Sequence, residues 1–271
     1  MHRILCSTGA LIGRPNNRDF TLLNFCHGKI ACAGYEFLMY DTWYNCSDEL
    51  KQFVNRFPAS FPVFHIEKRV GDLISRNQAG DTEKAVALFD CNCSLASAFG
   101  SEKLVLHLWG GLDSDKNIAH NYACYKYLRE ISDSYGLTLT VENVVCNNLD
   151  PLGHMINLAQ MYPDIQFTYD TKMAAFHNQI DKLYLPENRW LFQKISHMHI
   201  NDYNGGYKDW ANLKTLHIGQ GWINFDQLFE QLHNADYCGD FTLEATSFDM
   251  HGNIQFEKLN TSLQRIRNYL C

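Results

Sequence analysis

The chain has 271 residues, 46% of them hydrophobic, which is enough for one sizeable core. Its net charge of −7 argues against a broad surface that tracks phosphates, and no apolar run approaches the roughly eighteen residues of a membrane helix. Nucleic acid is therefore disfavoured as a partner, and no membrane span is expected. The ten cysteines are scattered, and Cys91 and Cys93 form the only close pair, which is neither a disulfide framework nor a paired zinc motif. Met1–Thr8 reads as a first strand and not as a secretion signal, so reduced thiols and a cytoplasmic location are expected.

Along the chain, strand-length apolar runs alternate with stretches of helical period, repeating roughly every thirty residues. Arg3–Thr8 precedes a helical stretch at Asp19–Lys29, and Ala33–Tyr40 precedes Ser47–Phe57, with Ser47 as the N-cap. Phe61–Glu67 leads through a loop to a helix at Asp81–Phe99 that Gly100 stops, and Lys103–Leu108 precedes Asp115–Tyr135, stopped by Gly136. Leu137–Asn143 precedes a helix opening at Asp150-Pro151, and Ile165–Tyr169 precedes a helical region reaching Lys194. Ile195–Asn201, a glycine-containing loop and Phe225–Ala235 follow, then Phe241–Ala245 and a last helix at Ile254–Tyr269. Strands alternating with helices imply a parallel sheet. Eight such units without a linker favour one α/β domain over residues 1–271, a single (β/α)8 TIM barrel. A doubly wound sheet would show a glycine-rich phosphate turn, and Gly9–Gly13 is too irregular for one.

In such a barrel the functional groups sit at the C-terminal strand ends. Those ends carry Glu36, His65, His107, Glu142, Asp170, His199 and Glu244. Carboxylates and imidazoles converging on one mouth are the donors that a divalent Zn, Mn, Co or Mg ion uses. Alternation along Ile195–Asp202 puts His197, His199 and Asn201 on one side. His199 is nearer the loop and suits a ligand, whereas His197 suits the core or the orientation of a ligand or substrate group. Glu36 is open to two readings, a substrate contact or a salt-bridged strand end. Trp109 and Trp210 either wall a sugar face or pack within loops, and Lys172, Arg69 and Lys208 are candidate cations for a substrate phosphate.

These segments resemble the xylose isomerase-like barrels, which include sugar (phosphate) isomerases and epimerases as well as endonuclease IV. The resemblance is carried by the segment from His65 to Leu73, by Gly100–His107, by Val141-Glu142-Asn143 and by Tyr169-Asp170-Thr171. It continues in His199–Asp202, Leu243–Thr246 and His217–Gly221, the last resembling the loop before the seventh helix. It implies a shared metal site of Glu142, Asp170, His199 and Glu244. It also implies a neighbouring metal at His65 and His107 in the endonuclease arrangement, so one or two ions per chain. Departures from the pattern are Met173 where a histidine is expected, Leu213–Thr215 where Asp-x-His is expected, and Gly205 where the epimerases carry an arginine. His217 or His177 could compensate from a shifted backbone.

The expected activity is metal-dependent isomerisation or epimerisation of a small sugar, sugar phosphate or polyol, with Glu142 and Glu244 as acid and base. Hydrolysis of a phosphate ester is the alternative, favoured by His65 and His107. A barrel that senses a ligand without catalysis is a third. Barrels of this kind often associate, so a homo-oligomer is compatible with the fold, but no interface is legible.

Overall fold

The computed structural model describes residues 2–270, so Met1, the expected opening of the first strand, lies outside the described residues. In chain order the elements are β1 (Ile4–Ser7), α1 (Leu23–Cys26), β2 (Tyr35–Leu38), α2 (Ser47–Arg56), β3 (Val63–His65), α3 (Arg69–Arg76), α4 (Asp81–Ala98) and β4 (Lys103–Leu106). They continue with α5 (Ile118–Ser134), β5 (Thr138–Glu142), α6 (Pro151–Met161), β6 (Gln166–Asp170), α7 (Thr171–Phe176), β7 (Ile195–Ile200), α8 (Phe225–Asn234), β8 (Asp240–Leu243) and α9 (Phe256–Leu270). The eight strands close into a barrel in sequence order. Strand pairs such as β1–β8, β4–β5 and β7–β8 run parallel, which requires the helical crossovers between them. The molecule is a (β/α)8 barrel.

Several expectations change in detail. A 3-10 turn at Asp41–Cys46 runs straight into α2, so Cys46 and not Ser47 is the N-cap, and no side chain caps that end. The loop expected after β3 contains α3, whose buried Val70, Leu73 and Ile74 stand at helical spacing. The long helix expected before Lys194 is instead α7 followed by 3-10 turns at Asp181–Tyr184 and Arg189–Lys194. Asn178 in the left-handed region and Pro186 interrupt it. Asp19–Lys29 shrinks to a 3-10 turn and the single turn of α1. Asp150 does cap α6, accepting from the Gly153 N–H at 2.8 Å, with Pro151 in the first turn.

By packing the chain divides into two compact units, one running up to Glu36 and resuming at Tyr169, the other spanning Phe37–Thr168. In the first, Leu5, Met198, Ile200, Phe241 and Leu243 are fully buried, as are Leu228 of α8 and Leu259 and Leu263 of α9, and Phe229 of α8 packs on Phe241 with ring centroids 5.5 Å apart. In the second, Phe37, Phe61, Phe64 and Phe99 form an aromatic core with ring centroids 5.0–6.1 Å apart. There α3 crosses so close to the end of β4 that a Cβ on Gly71 would strike the His107 carbonyl. Among the described residues no helix is long and apolar enough to cross a membrane.

Candidate metal centre

In the first unit His197 and His199 of β7 and Asn201 just after it share one side of the chain, and all three are fully buried. Imidazoles in such a place need partners, and Glu36 supplies one. Its Oε2 accepts from His197 Nε2 at 2.8 Å, from His199 Nε2 at 3.0 Å and from the Thr242 hydroxyl at 2.9 Å. Burial alone would raise the Glu36 pKa, yet the charge and hydrogen bond of His199 and those of His197 outweigh it and hold the carboxyl well below the usual carboxylate range.

A carboxylate can only accept, so Glu36 fixes the protons of both rings on Nε2. The Nδ1 edge of His199 then faces Glu244 Oε2 at 3.8 Å and Asp170 Oδ2 at 3.9 Å. Those separations are too long for hydrogen bonds. They match two ligands of one ion, because donors each about 2.1 Å from a common cation stand about 3.0–4.2 Å apart. A histidine that gives its far N–H to a carboxylate and turns its near nitrogen toward a cation is a recurrent metal-site arrangement. Asp170 is held in place from both sides. Oδ1 caps α7 through the Met173 N–H at 2.8 Å, and Oδ2 accepts from Asn201 Nδ2 at 2.9 Å.

In the second unit His65, His107 and Glu142 converge at the C-terminal ends of their strands, all nearly fully buried. His65 gives its Nδ1–H to the Ile66 carbonyl at 2.9 Å, which leaves Nε2 facing Glu142 Oε2 at 3.3 Å. A divalent ion shared by the imidazole and the carboxylate would be held by both. His107 Nε2 reaches the same oxygen at 2.6 Å. Burial, opposed by Glu142, takes the His107 pKa down to about 4, so its ring is neutral near pH 7 and free to ligate. The donor types in both clusters fit a divalent ion.

The other expected site residues differ in their surroundings. Trp109 is fully buried, gives its indole N–H to the Val144 carbonyl at 3.0 Å and packs on His154, so it cannot wall an open sugar site. Trp210 is 55% exposed. His217 has both ring nitrogens engaged by hydroxyls, Ser262 at 3.0 Å and Ser247 at 3.1 Å, so it ties its loop to α9 and has no nitrogen left for a substrate. Arg69 leans on Glu67 at 3.5 Å, and Lys208 lies 5.8 Å from the Tyr207 ring. Lys172 is buried beside Asp170 at 3.7 Å.

Two further carboxylates had no role in the sequence reading. Asp202 accepts the backbone N–H groups of Tyr203, Gly219, Gly221 and Ile223 at 2.8–3.2 Å and so holds the loop that follows β7. Asp115 does the same after β5, accepting from Asn147, Asn148 and Leu149 while pairing with His154 at 3.1 Å. The glycines at 219 and 221 were the available signal, since a Cβ on Gly221 would strike both Asp202 and the Tyr203 carbonyl.

Comparison with solved structures gives matches along almost the whole chain. A D-tagatose 3-epimerase-like protein is 20% identical with a TM-score of 0.71, covering 99% of this chain and 97% of that one. The IolI protein with a bound zinc atom is 14% identical with a TM-score of 0.74, covering 99% and 98%. The D-allulose 3-epimerase of Methylomonas sp. in complex with D-allulose is 14% identical with a TM-score of 0.72, covering 99% and 97%. No curated protein matches by sequence. The family model described as the xylose isomerase-like TIM barrel matches residues 28–269, and the chain belongs to that family.

Proposed function

We propose that this protein is a divalent-metal-dependent isomerase or epimerase of a small sugar, sugar phosphate or polyol, working in the cytoplasm with Glu142, Asp170, His199 and Glu244 as the ligands of one ion. The observation that carries the reading is His199, whose Nε2 is committed to Glu36 while its Nδ1 faces Asp170 and Glu244 at ligand–ligand spacing. Sugar epimerases among the similar structures, and the zinc in the IolI structure, support it. When bound, the cation would lower the energy of negative charge developing on two neighbouring substrate oxygens. Glu142 and Glu244 would take a proton from carbon and return it, each a carboxylate that its surroundings can tune toward neutral pH. Glu36 would keep the His199 ring in one tautomer and orientation, with His197 buttressing Glu36 from beneath.

A second reading is hydrolysis of a phosphate ester with a second ion at His65 and His107. The observation that favours it is the pair of imidazole nitrogens directed at one oxygen of Glu142. Two measurements separate the readings. Bound zinc or manganese per purified chain is expected at one equivalent or more, and less than a tenth of an equivalent of either would refute a metal centre altogether. Solvent deuterium should enter carbon-bound positions of at least one member of a ketose panel. Cleavage of an abasic duplex or a simple phosphodiester, without any such exchange, would establish the hydrolase instead.

A further inference from the structure

Asn201 stands just past β7, two residues after His199, and its side chain is fully buried. The Thr171 hydroxyl ties this point of the chain to α7, accepting from the Asn201 N–H at 3.0 Å and donating to the Asn201 carbonyl at 2.6 Å. Both of those bonds use main-chain atoms of Asn201, so the tie does not depend on an amide side chain. The amide is spent differently. Its Oδ1 accepts from the Lys172 backbone N–H at 2.9 Å. A backbone N–H can only donate, so the direction of the amide is fixed and Nδ2 is the atom that donates to Asp170 Oδ2 at 2.9 Å. Asp170 has use for such a donor. Its Oδ1 is committed to the Met173 N–H at 2.8 Å, and Oδ2 is the oxygen that faces His199 Nδ1 at 3.9 Å. The Lys172 ammonium, 3.7 Å from Oδ2, attracts that oxygen without the directionality of a hydrogen bond. An aspartate in place of Asn201 would still accept from Lys172, but it would turn a second oxygen against Asp170, where two close carboxylates resist being charged together.

We infer that Asn201 is a positioning residue of the metal centre, its amide aiming Asp170 Oδ2 at the ion. An amide and not an acid stands there because the neighbour it orients is itself a carboxylate. The inference rests on the metal-centre reading above and deepens it. Asn201 acts through Asp170 alone, and hydrogen-bond partners of metal ligands contribute about 10- to 100-fold to metal affinity.

The test measures zinc affinity of the full chain by chelator competition at neutral pH, with circular dichroism and urea unfolding alongside. Asn201→Ala should weaken zinc binding by about tenfold or more. In a chain already carrying Asp170→Ala the same substitution should change it by less than about twofold, because the ligand through which the amide acts is gone. Thr171→Val cuts the tie to α7 and leaves the amide in place, so it should lower the urea midpoint and keep zinc affinity within about twofold of wild type. Asn201→Ser takes the place of the alanine variant if the latter does not fold, and Thr171→Val alone supplies the comparison if Asp170→Ala abolishes zinc uptake. Zinc affinity that Asn201→Ala leaves unchanged, or that falls equally in both backgrounds or equally in Thr171→Val, overturns the inference and leaves the metal centre standing. Wild-type protein that takes up no zinc overturns the metal-centre reading itself, and the inference with it.

Discussion

The two packing units solve the same problem differently. Each gathers imidazoles and carboxylates at strand ends, but in the first a separate carboxylate, Glu36, accepts from both histidines, and His199 turns Nδ1 toward Asp170 and Glu244. In the second His65 and His107 lean directly on Glu142, the carboxylate they would share a metal with. A dedicated proton acceptor lets a ligand histidine stay oriented whether or not an ion is present. In the second unit a backbone carbonyl, that of Ile66, takes the His65 proton instead, and both imidazoles turn Nε2 toward Glu142. The loops repeat a common device, a buried aspartate that collects backbone N–H groups: Asp202 in the first unit and Asp115 in the second.

The comparison can be broken most decisively at the acid/base pair. Glu142→Gln and Glu244→Gln, one from each unit, should each lower deuterium exchange into an identified substrate by about a thousandfold with circular dichroism unchanged, since general acid–base groups contribute about 10²–10⁴. Full activity in both variants would remove the assignment. The loop anchors come next. Asp202→Ala strands four backbone donors and should lower unfolding stability by about 3 kcal/mol in urea, with Asp115→Ala costing a similar amount. A loss under about 0.5 kcal/mol at either position would show that water serves those donors equally well.

Glu36→Gln addresses the difference between the units directly. A glutamine at that place brings no negative charge to hold the two imidazole N–H groups, so His199 is less firmly oriented and zinc affinity, measured by chelator competition, should drop about 10- to 100-fold. A smaller pH effect sharpens the anchor comparison. Burial would raise the Asp115 pKa, but the N–H groups of Leu149 and Asn148, then His154 and Asn147, pull it down to about 2. A folded-state pKa below the unfolded value of about 3.9 stabilises the fold above that value. Stability should therefore fall between about pH 4 and about pH 2 in wild type, and less so in Asp115→Asn. The smallest effect expected is at Trp109→Phe, where loss of the indole hydrogen bond to Val144 should cost about 1 kcal/mol in urea and leave metal binding alone.

How legible this was differs from residue to residue. The strand ends at His65, His107, Glu142, Asp170 and His199 could be read directly, because a strand's period of two and the restriction of barrel function to one face translate sequence position into direction. Trp109 and His217 could not be read that way. Both lie past the strand ends, where no periodicity relates neighbours, and their surroundings come from distant elements, α6 for Trp109 and α9 for His217. Ser47 failed as a cap for a local reason, since the preceding 3-10 turn already supplied the helix entry.

By itself the amino-acid order determined the alternation of strands and helices, the eight-unit barrel and the placing of His65, His107, Glu142, Asp170 and His199 at strand ends, all of which follow from periodicity along the chain. Only the tertiary structure decided that His199 gives its Nε2–H to Glu36, 163 residues earlier in the chain, and turns Nδ1 toward Asp170 and Glu244. It likewise decided that Lys172 is buried against Asp170 when its place in the first turn of a helix suggests solvent. Hydrogen-bond partners and desolvation are properties of assembled surroundings, and no local pattern encodes them.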